Sequence, residues 1–155
     1  MPAPLTLIAA VNSMNSEIEA FFERMYGLLE SGQIEALSSF FKTPFPIYRA
    51  DGLFIEATPA EVKSAMTIIH SSFVETGVVK VRSKVFRIEE RPGTSTIRVG
   101  LEVQYLDQES EVMRASRFFY FLEPDDGHFK ITLVDYDEVG FPEFFDFLER
   151  QRRLS

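Results

Sequence analysis

Cysteine and tryptophan are absent from the 155 residues, and histidine occurs only twice. Without cysteine the chain has no disulfide, no thiolate nucleophile and no thiolate metal ligand. Two imidazoles, His70 and His128, provide no metal-ligand spacing, and Asp125-Asp126-Gly127 is too short for an oxygen-only cation loop, so no metal is expected. Glycine-rich phosphate loops, nucleophile elbows and dinucleotide fingerprints are missing as well, and no cofactor is expected. Positive charge is in short supply: 16 Lys and Arg face 24 Asp and Glu, a formal net charge of −8. Such a chain repels polyphosphate, which argues against nucleic acid and anionic membrane as partners. The densest basic run, Arg150-Gln151-Arg152-Arg153, sits where a helix C-terminus favours cations. No apolar run is long enough to span a bilayer, and Met1 to Val11 has no cation ahead of it, so that stretch reads as a loose arm and the chain as cytoplasmic.

What is present is an ordinary globular balance, 45% hydrophobic and 26% charged, with an unusual 16 phenylalanines. The length suits one domain with a real core. We read residues 1–14 as an N-terminal arm, 15–139 as the core and 141–152 as a closing helix.

Helical signals come first. Ser16 and Glu19 have capping-box spacing, and Ile18, Phe21, Phe22, Met25, Leu28 and Leu29 follow at helical period up to a stop at Gly32. Ile34, Leu37, Phe40 and Phe41 predict a short second helix, ended by Pro44 and Pro46. A small hairpin is expected over Phe45–Arg49 and Leu53–Ala57. Thr58 then caps a third helix with Pro59 in its first turn and Glu61 completing the box, and this helix stops at Gly77.

From Val78 the period falls to two. Residues 79–90, 96–106, 112–122 and 129–139 predict four long strands separated by turn residues, a meander with one covered face. Ile97, Val99, Leu101, Val103 and Tyr105 share one face of the second of these. Phe141, Phe144, Phe145 and Leu148 then recur at helical spacing behind Pro142. The class is α+β.

Gly27 to Leu37 with Phe40 and Phe41, the loop ending Ala50-Asp51-Gly52, the helix opened by Thr58-Pro59-Ala60-Glu61 and the four trailing strands resemble the nuclear transport factor 2-like superfamily in their order. The resemblance covers roughly residues 17–139 and implies a cystatin-like cone: a curved antiparallel sheet wrapped around N-terminal helices, with a pocket at the wide end and a C-terminal helix. Members include ketosteroid isomerases, SnoaL-like cyclases, scytalone dehydratase and domains with no chemistry, so function stays open. The pocket it implies would be lined by Met25, Tyr26, Tyr48, Met66, His70, Tyr105, Arg114, Phe118 and Asp135.

The isomerase residues do not carry over. The position of that family's oxyanion tyrosine falls on Met25, with Tyr26 one residue off and about 100° around the helix. The general base falls on Arg49 and the second acid near Arg117, and a guanidinium does not abstract a proton near neutral pH. Catalysis is therefore undecided, with Asp135, Asp137, His70 and Arg117 as candidates. Folding the last two strands about their turn gives two registers, one placing Arg114 opposite Asp137 and Ser116 opposite Asp135, the other Arg117 opposite Asp135. Turned inward, such a pair offers a carboxylate for proton transfer; turned outward, it is a cross-strand ion pair of about 0.2–1 kcal/mol. His70 could serve as acid or base, or be a rim residue bonded to a backbone carbonyl.

Phe118, Phe119, Tyr120 and Phe121 are consecutive, so both faces of that strand carry aromatic bulk and both call for cover. The helical layer is one cover. The other is the closing helix or a second copy, and a homodimer through the outer sheet face is expected. Two functional readings follow. Either the cone holds a small hydrophobic ligand in an aromatic-lined pocket, with cofactor-free lyase or isomerase chemistry left open, or the cone is filled and the domain acts by dimerising or docking a protein. A void of a few hundred cubic ångströms beside an ionisable group separates them.

Overall fold

A computed structural model describes residues 5–48 and 54–136, with side-chain detail over 14–46 and 56–135. The element order is α1 (Leu5–Ser31), α2 (Ile34–Ser38), β1 (Phe45–Tyr48), β2 (Phe54–Ala57), α3 (Pro59–Thr76), β3 (Lys80–Glu90), β4 (Ile97–Leu106), β5 (Val112–Asp125) and β6 (His128–Tyr136). The six strands form one sheet in the order β2-β1-β6-β5-β4-β3. The closing helix expected over 141–152, Arg49 and the turn Ala50-Asp51-Gly52 lie outside the described residues.

Sequence reading and structure differ at the first helix. α1 starts at Leu5, so it runs straight through the Ser16–Glu19 box and absorbs most of the expected arm. From Leu5 to Met14 the chain has neither glycine nor proline, and nothing in it opposes helix propagation toward Pro4. At α3 the prediction holds in detail. Thr58 accepts from the Glu61 N–H, the Glu61 carboxylate accepts from the Thr58 N–H, and Gly77 ends the helix at φ +88°.

β3 to β6 form the expected meander, and the hairpin extends it in an unexpected way: β1 lies parallel to β6, pairing Ile47 with Val134 and Tyr48 with Asp135. One parallel pair thus interrupts an otherwise antiparallel sheet, supplying the partner that β6 would lack as an edge strand.

The inner face of the sheet meets the helices. Val99, Leu101, Val103 and Tyr105 of β4 and Phe118, Tyr120 and Leu122 of β5 are buried against Ile18, Phe22 and Tyr26 of α1 and Ile69 and Phe73 of α3. Phe119 belongs to the other face. There its ring meets Phe86 edge-on at 5.7 Å, and both fold over Gly100, where a Cβ would stand 2.7 Å from Phe86 Cζ.

Candidate functional site

Among the described residues, a cavity of about 30 Å³ lies in the core between α1, α2, α3 and the sheet. Met25, Tyr26, Met66, Tyr120 and Val134 contribute to its wall, which among the described residues has no carboxylate, amine, guanidinium or imidazole. Its polar feature is a pair of phenols: Tyr26 Oη and Tyr120 Oη lie 2.7 Å apart and buried. The local sequence explains the meeting. Phe22 and Tyr26 are one turn apart on α1, Tyr120 faces inward on β5, and the Phe22 and Tyr120 rings are 4.9 Å apart.

Of the residues expected to line a pocket, Met25, Tyr26 and Met66 border this cavity. Tyr105 and Phe118 are fully buried beyond it, Tyr105 with its ring 5.6 Å from that of Phe73. Tyr48 lies in β1 beside Asp135. Arg114 opposes Tyr105 across β4–β5 and stacks on its ring at 4.9 Å.

His70 sits on α3 at the C-terminal end of α1, half-buried, with Nδ1 2.9 Å from the Leu29 carbonyl oxygen. A carbonyl only accepts, so Nδ1 carries the hydrogen in this contact. Nε2 faces Gly32, whose φ is +72° and whose absent Cβ would lie 2.7 Å away. The ring thus occupies the rim position bonded to a backbone carbonyl.

Both expected Arg–Asp registers are overturned. The turn is a two-residue one, Asp126-Gly127, both at positive φ, so Asp125 pairs with His128. A bulge between Phe121 and Leu122 then shifts the ladder once more, and Asp135 stands opposite Phe119. Asp135 is exposed. Arg117 opposes Glu102 on β4, with Nε 3.6 Å from the carboxylate on the outer face, and Ser116 opposes Val103. Asp137 lies outside the described residues.

Sequence reading missed Tyr120 as a wall residue, although its place between Phe118 and Leu122 marks it as inward once β5 is known to bury that set. Leu37, Phe41 and Phe45 also reach the cavity. Their signal was only hydrophobicity, which does not separate cavity wall from core.

No protein-family model matches the chain, and no curated protein does. Solved structures do match over most of its length. Aln2 from a Streptomyces species is 14% identical, covers 98% of this chain and 99% of its own, and has a TM-score of 0.61. A domain of unknown function with a cystatin-like fold from Nostoc punctiforme is 18% identical over 91% of this chain and 86% of its own, at 0.58. An NTF-2 like protein of unknown function from Shewanella oneidensis is 10% identical over 77% and 95%, at 0.56. The chain therefore has the cystatin-like, nuclear transport factor 2-like α+β fold. At these identities the likeness is one of fold and carries no ligand or reaction with it.

Proposed function

We propose that this domain acts by binding, as a homodimer through the outer face of its sheet, and not by chemistry in its cone. The observation that carries this reading is the interior itself: about 30 Å³ of space, against the 300–1,000 Å³ of ordinary ligand sites. A void of this size holds a water or two. Proton transfer would also need an acid or base in the wall, and the described wall has none beyond two phenols.

The outer face has what an isologous contact requires. Arg98 lies 3.6 Å over the Phe119 ring and 3.3 Å from Glu89, and Arg117 lies 4.2 Å over Phe86 and beside Glu102. Both signs of charge alternate around an aromatic centre, so a twofold copy can set each cation against an anion. Phe121 and Leu133, paired across β5–β6 and half-buried, extend the apolar part. Sedimentation at tens of micromolar is expected to show a dimer, and Leu133→Arg to shift it to monomer with its far-UV circular dichroism unchanged. A strict monomer for the unmodified chain at that concentration ends the proposal.

The phenol pair supports a second reading, a small apolar guest carrying one hydrogen-bonding oxygen. Met25 and Met66 border the cavity, and unbranched thioethers repack readily, so the space can grow on binding. In that case millimolar phenol shifts the Met25 and Met66 methyl NMR signals, and Tyr26→Phe weakens the effect. Unmoved methyl signals discard the guest.

A further inference from the structure

The strand at the end of the sheet has an open side. Among the described residues β3 pairs only with β4, and the direction of its outward groups can be read from both ends. Near the start, the Val81 N–H turns away from β4 and donates to the Glu30 carboxylate of α1. Just past the far end, the Arg91 N–H donates to the Thr96 carbonyl and so faces β4. Alternation from Val81, with the register shift between Val85 and Arg87, directs the N–H groups of Ser83, Val85, Ile88 and Glu90 to the open side.

That side opens on a trough and not on flat solvent. Met14 and Glu19 of α1 stand across from Val85, Phe86 and Ile88 over a groove of about 530 Å³. A recess of about 170 Å³ continues it toward Ser83 and Lys84, so that Glu19 and Glu23 line the helix bank while Lys84 and Arg87, the latter paired with Glu89, line the strand bank. The two share Glu19 and Val85, so they form one channel along the strand. Its floor is apolar, since Met14, Val85 and Ile88 are half-buried against the core. Glu19, Glu23 and Glu90 are exposed, and among the described residues none of the three has an ion-pair partner.

We propose that this edge takes up an extended basic segment of a partner protein as an added strand. Backbone donors and acceptors facing a channel bind a strand through its main chain, pockets along it read alternate side chains, and the acidic bank selects lysine or arginine at those that point to α1. A second copy of this chain is the poorer occupant. Edge-to-edge pairing about a twofold would bring the Glu19 and Glu23 banks of both copies together, like charge against like. Glu30 on Val81 closes the start of the edge and the bulge at Phe86 divides the rest into Ser83–Val85 and Ile88–Glu90, which suits a short segment better than an aggregating sheet.

The test uses a short blocked peptide of alternating valine and lysine, its glutamate-for-lysine counterpart, and amide-resolved NMR on the full chain. The lysine peptide is expected to shift the amide signals of Ser83, Val85, Ile88 and Glu90 and slow their hydrogen exchange, while the glutamate peptide leaves them unchanged. Glu19→Lys with Glu23→Lys, both at exposed helix positions, is expected to weaken binding about tenfold or more. Ser83→Pro removes one outward N–H and should weaken it too, as an edge strand accepts proline where its N–H faces out. The proposal is overturned by a lysine peptide that leaves the four amides unmoved, or by equal binding to the doubly charge-reversed chain. Protection of these amides that rises with protein concentration in the absence of peptide also overturns it, in favour of self-pairing.

Discussion

Phe22→Ala is expected to remove about 3–5 kcal/mol of stability, the usual cost of deleting a fully buried aromatic ring. Phe22 is 0% exposed and projects from the face of α1 that meets the sheet, its ring 4.9 Å from Tyr120 and 5.2 Å from Phe21. Loss of that ring leaves a void beside the phenol pair, between a helix and a strand that hydrogen bonding holds elsewhere. Neither can close it without moving the Tyr26–Tyr120 contact one turn away. Urea unfolding should show the midpoint falling with an unchanged slope, because the surface exposed on unfolding is nearly the same. Phe22→Leu, which keeps most of the volume, should cost less than half as much. A loss below about 1 kcal/mol for the alanine variant would mean that α1 does not rest on the sheet as described.

The elements were legible wherever a local device sets them. The Thr58–Glu61 box, the Gly77 stop and the two-residue spacing of β4 each act within one turn or one strand, and the structure reproduces them. The start of α1 was not legible, because a capping pattern at Ser16 is also compatible with an uninterrupted helix when neither glycine nor proline stands between Leu5 and that position. The β1–β6 pairing was hidden for a different reason. Nothing local to Ile47 or Tyr48 encodes which strand lies beside them, since that partner comes from more than eighty residues downstream.

The site was legible in part. Met25, Tyr26 and Met66 come out at the cavity because helical periodicity fixes their faces. The Arg–Asp pairs failed through arithmetic that a single residue controls: a two-residue turn and one bulge carried Asp135 past both arginines to Phe119. Strand register beyond a turn inherits every irregularity before it, so charged partners across β5 and β6 are the least predictable contacts in this fold.

Gly32→Ala is expected to cost about 1.5–3.5 kcal/mol, from two sources that a second substitution separates. Gly32 ends α1 at φ +72°, where an L side chain alone costs roughly 1–2 kcal/mol. Its Cβ would also lie 2.7 Å from His70 Nε2 and 3.0 Å from Cδ2 and Cε1 of the same ring. The ring would have to tilt, and its Nδ1 would leave the Leu29 carbonyl, a loss of about 0.5–1.5 kcal/mol for the hydrogen bond. In a His70→Ala background the clash is gone, so Gly32→Ala should then cost only the backbone share. Urea unfolding of the four chains gives the difference as a coupling energy of about 0.5–1.5 kcal/mol. Equal costs in both backgrounds would show that the imidazole is not seated on the end of α1, which would free His70 to be reconsidered as an acid or base.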